Sequence, residues 1–188
     1  MIMQLFLNEG LALTVRSTKS AAATRKPAGA SDAKRRGDPA STNFALANSP
    51  LYRIVRTAGR YTIDMENALK SSGMDLMSWR ALMILDEASS CSVSAIAERS
   101  VTRLSTMTRV VQRLEKKRYV RLSRGTSDAR VTEVQMTALG KQVLEGVRNV
   151  ASRIYNVALD GFSAAEIVAL KSMMQRIFSN LSACSTEG

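Results

Sequence analysis

Met107, Val110, Val111 and Leu114 mark one stripe of a helix expected over roughly Leu104 to Lys117, and the chain then switches abruptly to two short strand-like runs. A hydrophobic period that changes from about 3.6 to 2 within a few residues admits few folds. The runs are YVRLS (119–123) and VTEVQM (131–136), joined by RGTSDAR (124–130), which carries turn chemistry at Gly125, Thr126, Ser127 and Asp128. They read as a hairpin. On the other side of the helix stand Ser105, Arg109, Gln112 and Lys116, a polar face free to meet something outside the chain.

The elements around this pair are helical. Ser49 and Pro50 suit a cap and a first turn, and Leu51, Ile54, Val55, Ala58, Tyr61, Met65 and Leu69 then recur at helical spacing until Gly73. A second helix is expected after Ser78, through Trp79, Leu82, Met83 and Leu85. Ser92 opens a short third helix with Val93, Ile96 and Ala97 inward. Beyond the hairpin, Thr137 caps a long helix carrying Leu144, Val147, Ala151, Ile154 and Ala158. Ser163-Ala-Ala-Glu166 then forms a capping box, with Phe162 and Ile167 placed as a hydrophobic staple and Leu170, Met173, Met174, Ile177 and Leu181 along the helix that follows.

The expected fold is mainly α with a small β-hairpin wing: a winged helix-turn-helix over 76–136, with flanking helices over 49–73 and 137–182. Residues 1–48, poor in large apolar groups from position 16 onward, are expected to form a flexible basic extension to the domain at 49–188.

Charge locates the partner. The chain carries +11, and between Arg99 and Arg130 ten basic residues face only Glu115 and Asp128. A basic block confined to one foldable segment is the footprint of a polyanion binder. The chain has no histidine, and its two cysteines, Cys91 and Cys184, lie far apart, so neither a general base of the usual kind, a metal set nor a disulfide framework is indicated. No nucleophile motif or glycine-rich phosphate loop appears, and an enzyme, a cofactor or a metal is not expected. No apolar run is long enough to span a bilayer, and the default compartment is the cytoplasm, in association with the nucleoid. Cys91 reads as a small apolar group. The rival reading is a winged-helix nucleic-acid-binding or architectural module without ligand response; the four Phe and four Tyr do not interleave with the basic strands, which argues against stacking on single strands.

The stretch SVSAIAERSVTRLSTMTRVVQRLEKKRYVRLSRGTSDARVTEVQMTALGK resembles the winged helix of MarR-type transcriptional regulators, through its IAERS helix, its TRVVQRLEKK recognition helix, the Asp128-Ala-Arg130 wing and the closing Met136-Thr137-Ala138-Leu139-Gly140. With the flanking helices the resemblance covers about residues 50–182. Two positions depart from it: Val101 and Arg118 stand where the family commonly has Gly, and Arg at a left-handed cap costs about 1–2 kcal/mol.

The resemblance implies a homodimer built from the first and last helices, on a palindromic double-stranded DNA operator, acting as a repressor released by a small, aromatic-acid-like ligand. On the recognition helix Arg109 is the expected base reader; Ser105, Thr106 and Thr108 near its N-terminal end and Arg103 before it suit phosphates, with Gln112 and Arg113 further along. By resemblance the wing places Arg130 in the minor groove with Arg124 as helper. Asp128, two residues from Arg130, is expected to organise the wing by holding an arginine or by an Asx-turn. Candidates for a ligand pocket are Tyr61, Trp79 and Met83 as an apolar wall and Arg60 or Arg80 for a carboxylate.

Overall fold

A computed structural model describes residues 35–125 and 131–184. Asp128 and Arg130 lie outside the described residues. The chain divides between Arg53 and Ile54 into two compact units. In the first, the described residues carry local turns: Asp38 Oδ1 accepts from the Ala40 amide at 3.0 Å, and a single 3₁₀ turn spans Leu46–Asn48. These turns lie within residues 35–48, the described part of the expected extension. Ser49 caps the helix that follows, its hydroxyl 3.4 Å from the Tyr52 amide.

The elements in order are α1 (Pro50–Leu69), α2 (Leu76–Ala88), β1 (Ser90–Ser92), α3 (Val93–Arg99), α4 (Leu104–Lys116), β2 (Val120–Arg124), β3 (Thr132–Met136), α5 (Ala138–Ala158) and α6 (Ala164–Cys184). A 3₁₀ turn, Lys70–Ser72, follows α1 and ends at Gly73, which takes φ 60°. The expected hairpin is present, with Leu122 opposite Val134 and Val120 opposite Met136. It has a third strand that sequence did not suggest: β1 pairs antiparallel on the free edge of β3, Cys91 opposite Val134, giving the order β1-β3-β2.

Helix boundaries follow from caps. Ser92 Oγ accepts from the Ala95 amide at 3.1 Å, Thr137 Oγ1 from Gly140 at 3.0 Å, and Ser163 and Glu166 exchange bonds as a capping box, Ser163 N to Glu166 Oε2 at 2.9 Å and Glu166 N to Ser163 Oγ at 3.3 Å. The second helix corrects the expectation: it starts at Leu76 with Asp75 as cap, whose Oδ1 accepts from the Ser78 amide at 2.9 Å. Ser78 lies inside the first turn and is buried. The inward face consequently runs through Leu76, Ser78, Ala81, Leu82 and Leu85, and Met83, expected inside, is exposed.

One core gathers Met65 and Leu69 of α1, Leu82 and Leu85 of α2, Ile96 of α3, the whole predicted stripe of α4, Val120, Val134, and Leu144 and Val147 of α5. Burying each such side chain contributes about 1.5–3 kcal/mol. The core stops there. No residue of α6 is buried, and Val168, Met173, Met174, Phe178 and Leu181 are exposed along it.

Candidate nucleic-acid interface

Helix α4 is clamped at both ends by backbone geometry. Before it, α3 ends with Val101 at φ 51°: the Val101 amide donates to Glu98 O at 2.9 Å and the Thr102 amide to Ala97 O at 2.9 Å. After it, Arg118 takes φ 59°, its amide donating to Glu115 O at 2.8 Å and that of Tyr119 to Leu114 O at 3.0 Å. Both are Schellman closures with a non-glycine residue in the left-handed position. The helices therefore end as the family pattern requires, and the two side chains bear the strain. Thr137 Oγ1 donates to the Arg118 carbonyl at 2.7 Å and buried Gly140 lies against the Tyr119 carbonyl, which fixes the corner between α4 and the wing.

With its apolar stripe buried, α4 turns Ser105, Thr106, Arg109, Gln112 and Arg113 to solvent, with Arg103 as the residue before its first turn. Arg103 makes no side-chain capping bond. Thr108 is half-buried, and its hydroxyl donates to Leu104 O at 2.8 Å, so its proton is already used within the helix. Arg124 ends β2, exposed; beyond it the Gly125 amide donates to Val131 O at 2.8 Å, closing the described part of the wing.

The basic residues divide into two groups. Arg113 Nη2 donates to Asp75 Oδ2 at 2.8 Å and lies 3.3 Å from Ser78 Oγ. Burial pushes the Asp75 carboxyl up, but the amide and hydroxyl of Ser78 and the guanidinium of Arg113 outweigh it and leave its pKa below the usual value. Lys117 Nζ donates to Gly73 O at 3.0 Å, Arg121 Nε to Gln135 Oε1 at 2.9 Å, and Arg99 pairs with Glu87. By contrast, Arg103, Arg109, Lys116, Arg118 and Arg124 have no side-chain hydrogen bond or ion pair among the described residues. Of the residues expected at DNA, Ser105, Thr106, Arg109, Gln112 and Arg113 are exposed on α4, and Arg113, though exposed, is paired with Asp75.

The candidate pocket residues are less united. Arg60 forms a two-point pair with Asp64, 2.8 Å at each contact, one turn further along α1. Tyr61 packs half-buried against the core; burial raises its pKa, and the nearby positive charge of Arg80 partly opposes this. Trp79 also packs on the core, and its Nε1 is buried with no hydrogen-bond partner among the described residues. Met83, one turn after Trp79 on α2, is exposed.

A helix-turn-helix followed by a two-stranded wing whose sheet is completed by β1, presenting basic and hydroxyl groups on its second helix, defines a winged-helix protein. Comparison with known proteins gives the family. The sequence model of the MarR family matches residues 75–132. The HTH-type transcriptional repressor IacR of Pseudomonas putida is 35% identical over 144 residues, 77% of this chain and 86% of that repressor. A MarR-family regulator from Silicibacter pomeroyi superimposes with a TM-score of 0.67 at 20% identity, over 72% of this chain and 92% of that one. BpsR of Bordetella bronchiseptica, whose DNA binding is regulated by 6-hydroxynicotinic acid, gives 0.64 at 19% identity, over 71% and 96%. The chain belongs to the MarR family and is a DNA-binding transcriptional regulator. No described helix is long and apolar enough to cross a membrane.

Proposed function

We propose that the protein is a homodimeric repressor that sits on a palindromic operator in the cytoplasm and leaves it when a small aromatic acid binds. The observation that carries the DNA side is the polar face of α4: Arg109 is exposed and uncommitted, flanked by Ser105, Thr106 and Gln112, while the opposite stripe is wholly buried. A planar guanidinium so presented suits the paired acceptors of guanine in a major groove. Arg103 and Arg124 suit phosphates. Arg130 is the proposed minor-groove contact, with Asp128 holding the wing in shape.

Dimerisation is supported by α6. A 21-residue helix with no fully buried residue, only Ile167, Leu170 and Ile177 half-buried, yet with Val168, Met173, Met174, Phe178 and Leu181 exposed, is an apolar surface suited to a partner. A two-fold pair would set two α4 helices against half-sites about 34 Å apart. Release by an aromatic acid is supported by the buried Trp79 N–H, unpaired among the described residues, and by Arg80 near Tyr61: one donor for a buried acceptor and one cation for a carboxylate. Arg60 is a weaker candidate, since Asp64 already neutralises it.

The test is binding of Arg109→Ala to an operator duplex, selected from a random library by the full-length protein, and to random duplex. Base reading predicts a loss of about 1–3 kcal/mol on the operator alone. Equal loss on both would reduce Arg109 to a phosphate clamp. A wild type with no preference between the duplexes would favour the architectural alternative.

A further inference from the structure

We propose that Arg113 and Lys117 are positioning residues: they strap the C-terminal half of α4 to the junction between α1 and α2, so setting the pitch of the reading face, and do not themselves neutralise phosphates. This rests on the reading that α4 enters the groove.

The two cations stand one helical turn apart and both reach back to the same short segment. Arg113 takes the Asp75 carboxylate at 2.8 Å, and Lys117 takes the Gly73 carbonyl at 3.0 Å. Both acceptors are themselves fixed. Asp75 is held by the amide and hydroxyl of Ser78, at 2.9 and 2.8 Å, as the cap of α2. Gly73 ends the 3₁₀ turn that closes α1 and occupies a left-handed conformation that a side chain would oppose. Lys117 also lies over the Tyr119 ring, 5.9 Å from its centroid, where the wing begins. The strap therefore joins α4, the turn after α1, the start of α2 and the root of the wing.

Leverage gives such a strap an effect on DNA that its own energy would not. Helix α4 has 13 residues, about 20 Å of axis, so a rotation of about 5° at its C-terminal end moves the other end by about 1.7 Å. Arg109 stands about 10 Å from that end and moves by about 0.9 Å, enough to misplace a bidentate base contact, whereas a phosphate contact tolerates it. A guanidinium already compensated by a carboxylate at 2.8 Å also has little charge left to displace counterions. The lower-than-usual pKa of Asp75 agrees with a carboxylate that stays charged in this role.

The experiment is a salt series of operator and random-duplex affinities, by fluorescence anisotropy, for wild type, Arg113→Ala, Lys117→Ala, Asp75→Asn, the Arg113→Ala/Asp75→Asn double variant and Arg103→Ala. Asn retains the capping acceptor, so Asp75→Asn keeps the start of α2, and far-UV circular dichroism verifies the fold of each variant. A positioning role predicts that Arg113→Ala and Lys117→Ala each weaken operator binding about three- to fivefold, leave random-duplex binding unchanged and preserve the slope of log K against log salt. Arg103→Ala should reduce that slope by about one. Asp75→Asn should weaken operator binding although it adds net positive charge, and the double variant should lose no more than Arg113→Ala alone. A slope reduced by about one in Arg113→Ala, with parallel loss on random duplex, would overturn the proposal and make Arg113 a phosphate contact. Additive losses, or tighter binding by Asp75→Asn, would overturn it too. Loss of all sequence preference in the wild type would instead defeat the groove-reading premise.

Discussion

Val101 should prefer glycine, and by a margin that can be worked out. It sits at φ 51° and is 73% exposed, in the turn that joins α3 to α4. The backbone there is committed by two bonds of 2.9 Å, Val101 N to Glu98 O and Thr102 N to Ala97 O, so it cannot relax to negative φ without losing the end of α3. For an L-residue the left-handed region costs about 1–2 kcal/mol, with β-branched residues least at ease in it. Comparing Val101→Gly with Val101→Ala isolates this cost, because both remove the two γ-methyl groups and they differ only in the Cβ that opposes positive φ. Glycine gives back about 0.4–1 kcal/mol through the freer unfolded chain, which leaves roughly 0.8 kcal/mol in its favour over alanine. Both variants forgo the partial burial of Val, about 0.4–0.8 kcal/mol. Urea titrations should then rank stability as Gly equal to or above Val, and Val above Ala, with m unchanged. The sign is the test, since in an ordinary exposed helical position Gly is worse than Ala by about 1 kcal/mol. Alanine equal to or better than glycine would refute the left-handed assignment.

At Gly140 the opposite holds: a Cβ would meet the Tyr119 carbonyl oxygen at 2.1 Å, so Gly140→Ala should destabilise by about 1–3 kcal/mol in thermal melts despite alanine's better helix propensity. Replacing Phe178 or Met174 of α6 with Glu should shift the protein from dimer to monomer in analytical ultracentrifugation, while far-UV circular dichroism stays unchanged; a stable dimer in both variants would move the interface elsewhere. Asp75 has a folded-state pKa below its unfolded one, so its contribution is present above the unfolded value of 3.8 and fades as pH falls through the folded value. The stability gap between wild type and Asp75→Asn should accordingly shrink in urea melts below about pH 4; it should be small, because the pair is half exposed, and a gap that persists unchanged to pH 3 would contradict the assigned shift.

Local chemistry made much of the fold legible in the sequence. The stripe Met107, Val110, Val111 and Leu114 is buried throughout, and Ser92, Thr137 and Ser163 cap the helices they precede, because caps and periodicity involve residues three or four apart. Where two caps competed, sequence alone chose wrongly: Asp75 and Ser78 are both good capping residues, and the burial of Leu76 decides for Asp75. Strand β1 was hidden because Ser-Cys-Ser has neither alternation nor strong β propensity; it exists because β3 has a free edge beside it. Val101 and Arg118 were marked by resemblance as positions where glycine is usual, but only backbone angles could say whether the helices end differently or the side chains carry the strain.

The basic segment and the polar face of α4 were legible in the sequence, but the partners of its cations were not. Charge counting treats the basic residues from Arg99 to Arg130 alike, yet the acceptors that separate them are distant in sequence: Asp75 is 38 residues from Arg113, and Gly73 is 44 from Lys117. Arg99 and Arg121 are similarly engaged, with Glu87 and Gln135. A basic segment of this kind therefore does two jobs with one residue type. On the proposed reading, cations paired within the lobe hold its elements in place, and those left unpaired among the described residues, Arg103, Arg109, Lys116, Arg118 and Arg124, remain available to a polyanion. Binding specificity needs both, because base contacts are directional and fail with small rotations, whereas the field of the unpaired charges alone would hold any duplex. Net charge thus overstates the number of cations free to meet phosphates, and on the proposed reading the internal ion pairs convert part of that charge into the geometry on which reading by Arg109 would depend.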